Sequence, residues 1–241
     1  EISACLVGSE MCIRDRVVPN FQNPLGCVMP DAEKARLVAL CERQQVPLIE
    51  DDTYGALTDD DTPLAAAKSW DPTGNVIYCS SLHKTLAPGM RLGWLLGGRW
   101  KARIAMLKFA QSRPNEPLAQ IAVADYLGSR AYDRHLARLR RQLKTQRDQT
   151  AEIIAAHFPR GTRLSVPTGG MLLWVEMPEG RSGLDVFEAA LKQGIRVAPG
   201  AMFSNSTRYN HFLRISCGQR HTPDIAQALG TLARIVGERP A

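Results

Sequence analysis

From residue 17 onward, short apolar runs that end in polar residues alternate with longer segments whose apolar positions recur at helical spacing. Val17-Val18 reads as the end of a strand, closed by Pro19-Asn20 and by the turn Asn23-Pro24-Leu25-Gly26. Pro30 sits where a first helical turn begins, and the acidic Asp31 and Glu33 suit the positive end of the helix dipole. Leu37, Leu40 and Cys41 then supply an apolar stripe through Arg43. Val46–Ile49 reads as a short buried strand running into Glu50-Asp51-Asp52, Val76–Cys79 as a second running into Ser80-Ser81, and Arg91–Gly97 as a third. Strand, helix and strand at this spacing predict βαβ units, and so an α/β fold with a mostly parallel sheet and helices on both faces. Ligands of such sheets bind outside the carboxyl ends of the strands, which is where the polar groups fall here.

After Pro114 and Pro117 the pattern changes. Leu118 to about Phe158 is a long tract rich in Ala, Leu and Arg, helical in period and broken near Gly128-Ser129. Beyond Pro159-Arg160-Gly161 shorter elements return: a strand over 171–176, a helix over 184–193, strands over 195–198 and 212–216, and a last helix from Pro223 to about Val236. The expected organisation is a partial large domain over 17–125, then a linking helix with a smaller C-terminal α/β domain over 126–241. Residues 1–16 carry no strand or helix period, no signal-peptide pattern and no initiator Met. They resemble translated sequencing-adapter readthrough, so the expectation is that natural protein starts near Val17 and that an upstream portion is missing.

Composition narrows the class. The chain is 44% hydrophobic, with 30 Lys plus Arg against 24 Asp plus Glu, too apolar and too balanced for disorder. No apolar run approaches the roughly 20 residues of a membrane span, so a soluble protein is expected. The formal charge is +6, and only Arg134 to Arg147 is dense in basic residues. Their helical spacing reads as a solvated helix face rather than a nucleic-acid patch. The six cysteines show no CxxC and no companion His at zinc-ligand spacing, which points to a reducing, cytoplasmic protein without a metal site.

Three segments carry chemistry. In Ser80-Ser81-Leu82-His83-Lys84, followed by Gly89 and Arg91, a lysine lies just past a strand, amid hydroxyls. Such an amine can form a Schiff base with an aldehyde when cationic neighbours or burial deprotonate it. The plainer reading is a solvated loop lysine. In Ile49-Glu50-Asp51-Asp52-Thr53-Tyr54 a carboxylate ends a buried strand, which is costly unless a cationic or hydrogen-bonding partner meets it. A protonated pyridine nitrogen is one such partner, and a turn cap is the plainer role. In Phe21-Gln22-Asn23-Pro24-Leu25-Gly26, Asn23 could hydrogen-bond a ring oxygen or be only a turn residue before proline.

In this order the three segments resemble the pyridoxal-phosphate-dependent aminotransferases of fold type I, class I/II, from about Val17 to the end of the chain. The strings CSSLHKTLAPGMRLGW, PTGGMLLWVEMPEG, VAPGAMFS and FLRISCG look like the aminotransferase-like domain of MocR-type GntR regulators and like 2-aminoadipate-type aminotransferases. The resemblance implies pyridoxal 5′-phosphate as cofactor. Lys84 would form the internal aldimine and shuttle the proton, Asp51 would hold the pyridinium proton, and Asn23 and Tyr54 would bind the phenolic oxygen. Ser81 and Arg91 would bind the phosphate. His83, where a serine is common in the family, would stand beside them. Arg214 would clamp the substrate α-carboxylate as a bidentate fork, with Asn23 in the same substrate site.

Two functions follow from the resemblance. One is an aminotransferase converting an α-amino acid to a 2-oxo acid through a pyridoxamine intermediate. The other is an effector-sensing module of a regulator, reaching DNA only through an upstream winged-helix domain. A folded domain with a decayed site is a third reading, against which the intact set Asn23, Asp51, Tyr54, Lys84, Arg91 and Arg214 argues. The family further implies a homodimer. It also implies an upstream glycine-containing phosphate loop and a ring-stacking aromatic, which this chain does not carry, so the fragment as written is expected to be inactive.

Overall fold

The computed structural model describes residues 15–60 and 62–238, which separate into two compact units. The first comprises residues 15–22 with Cys27–Ala137, and the second comprises Asn23–Gly26 with residues 138–238.

The first unit is built on a four-stranded sheet in the order β1 (Asp15–Val17), β2 (Leu48–Asp51), β3 (Val76–Ser81) and β4 (Gly93–Leu96). The pairs β1–β2 and β2–β3 are parallel, and β4 returns antiparallel on β3. A side chain at Gly93 would press a Cβ to 2.6 Å from the Ser80 carbonyl, so glycine opens the returning strand. Helix α1 (Asp31–Arg43) connects β1 to β2. It starts after Pro30, carries Asp31 and Glu33 in its first turn, and stops where Gln45 takes a φ of 54° ahead of Pro47. Leu37, Val38 and Cys41 of α1 pack on Leu48, Ala67 and Val76. Each such side chain, fully withdrawn from water, contributes about 1.5–3 kcal/mol. Two charged groups hold the loop between β2 and β3 in place. The Glu50 carboxylate accepts from the backbone N–H groups of Ala67 at 2.6 Å and Lys68 at 2.8 Å. The fully buried Lys34 ammonium donates to the Ala65 carbonyl at 2.7 Å and to Asp31 at 3.1 Å.

Beyond β4 lies α2 (Lys101–Ser112), which the hydrophobic pattern did not predict and which has no buried residue. Then come α3 (Pro117–Leu127) and α4 (Arg130–His157), parted at Gly128-Ser129 as the sequence pattern expects. The two units divide inside α4, between Ala137 and Arg138.

The second unit carries a wholly antiparallel sheet in the order β5 (Arg163–Leu164), β6 (Leu172–Glu176), β8 (Phe212–Ser216) and β7 (Ala198–Pro199). The strand expected over 195–198 is reduced to Ala198–Pro199, whose proline has no N–H to continue a ladder. Helices α5 (Gly183–Lys192) and α6 (Pro223–Gly237) start at Ser182 and Thr222, whose hydroxyls accept from Asp185 N and Ile225 N. Ile154, Leu173, Val175, Val186, Leu213 and Leu232 form the centre of its core. The four cysteines among the described residues form no disulfide: Cys41 and Cys217 are buried, whereas Cys27 is exposed. Of the segment read as non-native, only Asp15 and Arg16 fall among the described residues, as part of β1; residues 1–14 lie outside them.

Candidate active site

In the first unit the polar groups gather at the carboxyl ends of β2 and β3. Asp51 is the last residue of β2 and lies level with Cys79 of β3. Its carboxylate accepts from the Thr53 hydroxyl at 2.6 Å and pairs with the Arg16 guanidinium. The position therefore takes a cationic donor, the chemistry that a pyridinium N–H requires.

Lys84 sits on the turn that follows β3. Leu86 and Ala87 donate back to the Leu82 carbonyl at 2.9 and 3.1 Å, and Leu82 N donates to Leu92 O at 3.1 Å, closing the base of the loop. Leu82 is buried beneath the turn, and the Thr85 carbonyl is bonded to His135 Nε2 at 2.9 Å. The Lys84 ammonium lies 5.8 Å from the centroid of the Tyr54 ring. The structure thus brings Lys84 to Tyr54, three residues after Asp51 in sequence. Ser81 ends β3, and Arg91 takes a left-handed φ of 52° with its side chain exposed. Nδ1 of His83 is enclosed and makes no hydrogen bond among the described residues.

In the second unit Arg214, on β8, donates from Nη1 to the Asn23 side-chain oxygen at 3.0 Å. The Phe203 ring lies 5.2 Å from its guanidinium carbon, and Trp174, opposite Arg214 on β6, meets Phe203 edge-on at 5.7 Å. Arg214 Nε is enclosed without a hydrogen-bond partner among the described residues. The fork formed by Nε and Nη2 is the geometry that recognises a carboxylate.

Sequence reasoning passed over Asp52. Its side chain is nearly enclosed and accepts from Asn20 Nδ2 and from the Tyr78 hydroxyl, each at 3.0 Å. Burial pushes its carboxyl above the ordinary carboxylate range, although the bonds from Asn20 and Tyr78 oppose the shift. Burial and the neighbouring Asp52 charge push the Tyr78 phenol upward in turn. Gly55 is part of the arrangement, because a Cβ there would stand 2.2 Å from the Asp52 carboxylate. The run Glu50-Asp51-Asp52 was the signal, since three acids at one strand end need partners.

The family described as Aminotransferase class I and II matches residues 17–232. The chain belongs to that family. Relatives similar to this chain include the uncharacterized HTH-type transcriptional regulator YjiR of Escherichia coli, 36% identical over 91% of this chain and 47% of the relative. Aromatic-amino-acid aminotransferase 1 of Thermococcus litoralis is 27% identical over 92% of this chain and 53% of the relative. The chain therefore spans about half the length of these curated relatives. Among solved structures, LysN, the α-aminoadipate aminotransferase of Thermus thermophilus complexed with N-(5′-phosphopyridoxyl)-L-leucine, superposes with a TM-score of 0.83 at 25% identity. That match covers 92% of this chain and 58% of LysN. The α/β architecture is thus that of the aminotransferases. Among the described residues, no helix is long and apolar enough to cross a membrane.

Proposed function

We propose that the chain forms the lysine-bearing part of a pyridoxal-phosphate-dependent aminotransferase, moving an amino group from an α-amino acid to a 2-oxo acid. The observation that carries this reading is the gathering of Asp51, Tyr54 and Lys84 at the ends of adjacent parallel strands, with the lysine amine over the tyrosine ring. When bound, the cofactor supplies an electron sink for the bond that breaks at Cα. Asp51 would hold the proton on the pyridine nitrogen, as it holds the Arg16 guanidinium. Tyr54 would donate its hydroxyl to the ring oxygen; Asn23, whose side-chain oxygen is taken by Arg214, has its Nδ2 left to donate. Ser81 and Arg91 hold the phosphate, while Arg214 turns Nε and Nη2 to the substrate carboxylate. The Lys84 amine would hold and move the proton released at the substrate Cα, a general acid–base role for a group of this type. The cytoplasm and a homodimer complete this reading.

A second reading has a specific observation behind it, since the regulator YjiR is more similar in sequence than the Thermococcus litoralis aminotransferase. In that reading the same pocket senses an amino compound for a DNA-binding domain. The test is to incubate the full-length gene product and its Lys84→Ala variant with pyridoxal phosphate, a panel of amino acids and 2-oxoglutarate. Turnover of at least one amino acid, abolished by the substitution, is expected. Absence of turnover across the panel, together with DNA binding that pyridoxal phosphate alters, would establish the regulator instead.

A further inference from the structure

Helix α4 and the loop leading into α6 border an open hollow of about 310 Å³ in the second unit. Arg138, Arg141, Thr145 and Gln149 line it from one face of the helix, and Arg220 and His221 line it from the loop. The loop is anchored rather than loose. Cys217 N donates to Met171 O at 2.7 Å, and the Gln146 amide, with its nitrogen turned to the loop, donates to Cys217 O at 2.8 Å and Gln219 O at 3.1 Å. Among the described residues neither Arg138, Arg141 nor Arg220 makes an ion pair. On the same helix Lys144 pairs with Asp148 at 2.6 Å. Three guanidiniums drawn together without an acid repel one another, and a polyvalent anion relieves that repulsion while taking several of their N–H donors.

We propose that this hollow binds the phosphoryl group of a small phosphorylated compound. The hollow is concave and lies at the lower end of the volumes that hold small ligands, about 300 Å³ and upward. Its amide and hydroxyl lining suits the polar remainder of such a molecule. A duplex backbone is tracked by an extended run of basic residues, whereas one phosphoryl group fits among three guanidiniums that line a single hollow. Of the basic stretch of α4, read from sequence as a solvated face, Arg138 and Arg141 are exposed and Arg147 is buried.

Calorimetric titration of the full-length gene product with inorganic phosphate and with pyrophosphate tests this. A citrate arm separates phosphoryl from carboxylate chemistry, and a DNA duplex arm separates small anions from nucleic acid. Binding of either phosphate species at one site is expected, weakened at least about tenfold in R141Q/R220Q by loss of two charge-assisted partners. The control R103Q/R196Q, with the same charge change at exposed positions, should bind as the wild type does. Equal binding by the two double variants would place the anion elsewhere, such as at Ser81 and Arg91, and overturn the proposal. So would citrate bound in preference to both phosphates, a duplex bound in preference to all small anions, or no binding by any of them.

Discussion

Asp52 shows how much a single buried carboxyl governs here. It joins three segments distant in sequence through Asn20, its own strand end and Tyr78. Burial raises its pKa above the ordinary 3.8, so the native state holds this proton more tightly than the unfolded chain does. The sign follows from linkage: stability from this group is present at low pH and declines as pH rises from the unfolded value through the folded one. Asp52→Asn should abolish that share of the slope, read as urea midpoints between about pH 4 and pH 7. An unchanged slope in the variant would show that the carboxyl is not held as described. In the sequence Asp51 was singled out as an acid ending a buried strand, and Lys84 as a lysine just past one amid hydroxyls. Asp52 was not, because Asn20 and Tyr78 become its partners only when β1, β2 and β3 come together.

At the scale of elements, the sheet of the first unit depends on the turn that feeds β3. Asp71 accepts from Asn75 N at 2.9 Å, Val76 N at 2.8 Å and the Lys68 ammonium at 2.7 Å. Burial alone would raise its pKa, but these bonds outweigh it and hold the carboxyl below the usual carboxylate value. Its stabilising share is therefore complete above the unfolded pKa and lost as pH falls through the folded one. Asp71→Ala leaves buried donors unmet and should cost about 1–3 kcal/mol in chemical denaturation near neutral pH. A loss within error of zero would mean that the turn holds without it. Most elements followed from periodicity, including the break between α3 and α4 at Gly128-Ser129. Helix α2 did not, because Ile104, Ala105, Met106, Leu107 and Phe109 give no single apolar stripe. The antiparallel second sheet was also illegible, since strand direction is set by pairing and not by alternation.

At the scale of the whole molecule, each unit has a core, but apolar surface remains on the first. Trp94 and Leu95 of β4 share a hollow of about 520 Å³ with Ile104 and Ala105 of α2. Leu96 is 53% exposed and Phe109 62%. Exposed apolar surface of this kind seeks cover, and β4 also ends the sheet with an unpaired edge among the described residues. The 241-residue chain alone should bind 8-anilinonaphthalene-1-sulfonate strongly and elute from size exclusion above its monomer mass of 26.6 kDa. A monodisperse monomer without dye enhancement would contradict that expectation. The central claim concerns one atom, the Lys84 amine. The most direct measurement reduces the full-length gene product with borohydride after adding pyridoxal phosphate, then maps the label by peptide mass spectrometry. A single pyridoxyl group on Lys84, absent from Lys84→Ala, is the predicted result. A label on another lysine, or none at all, would contradict the account.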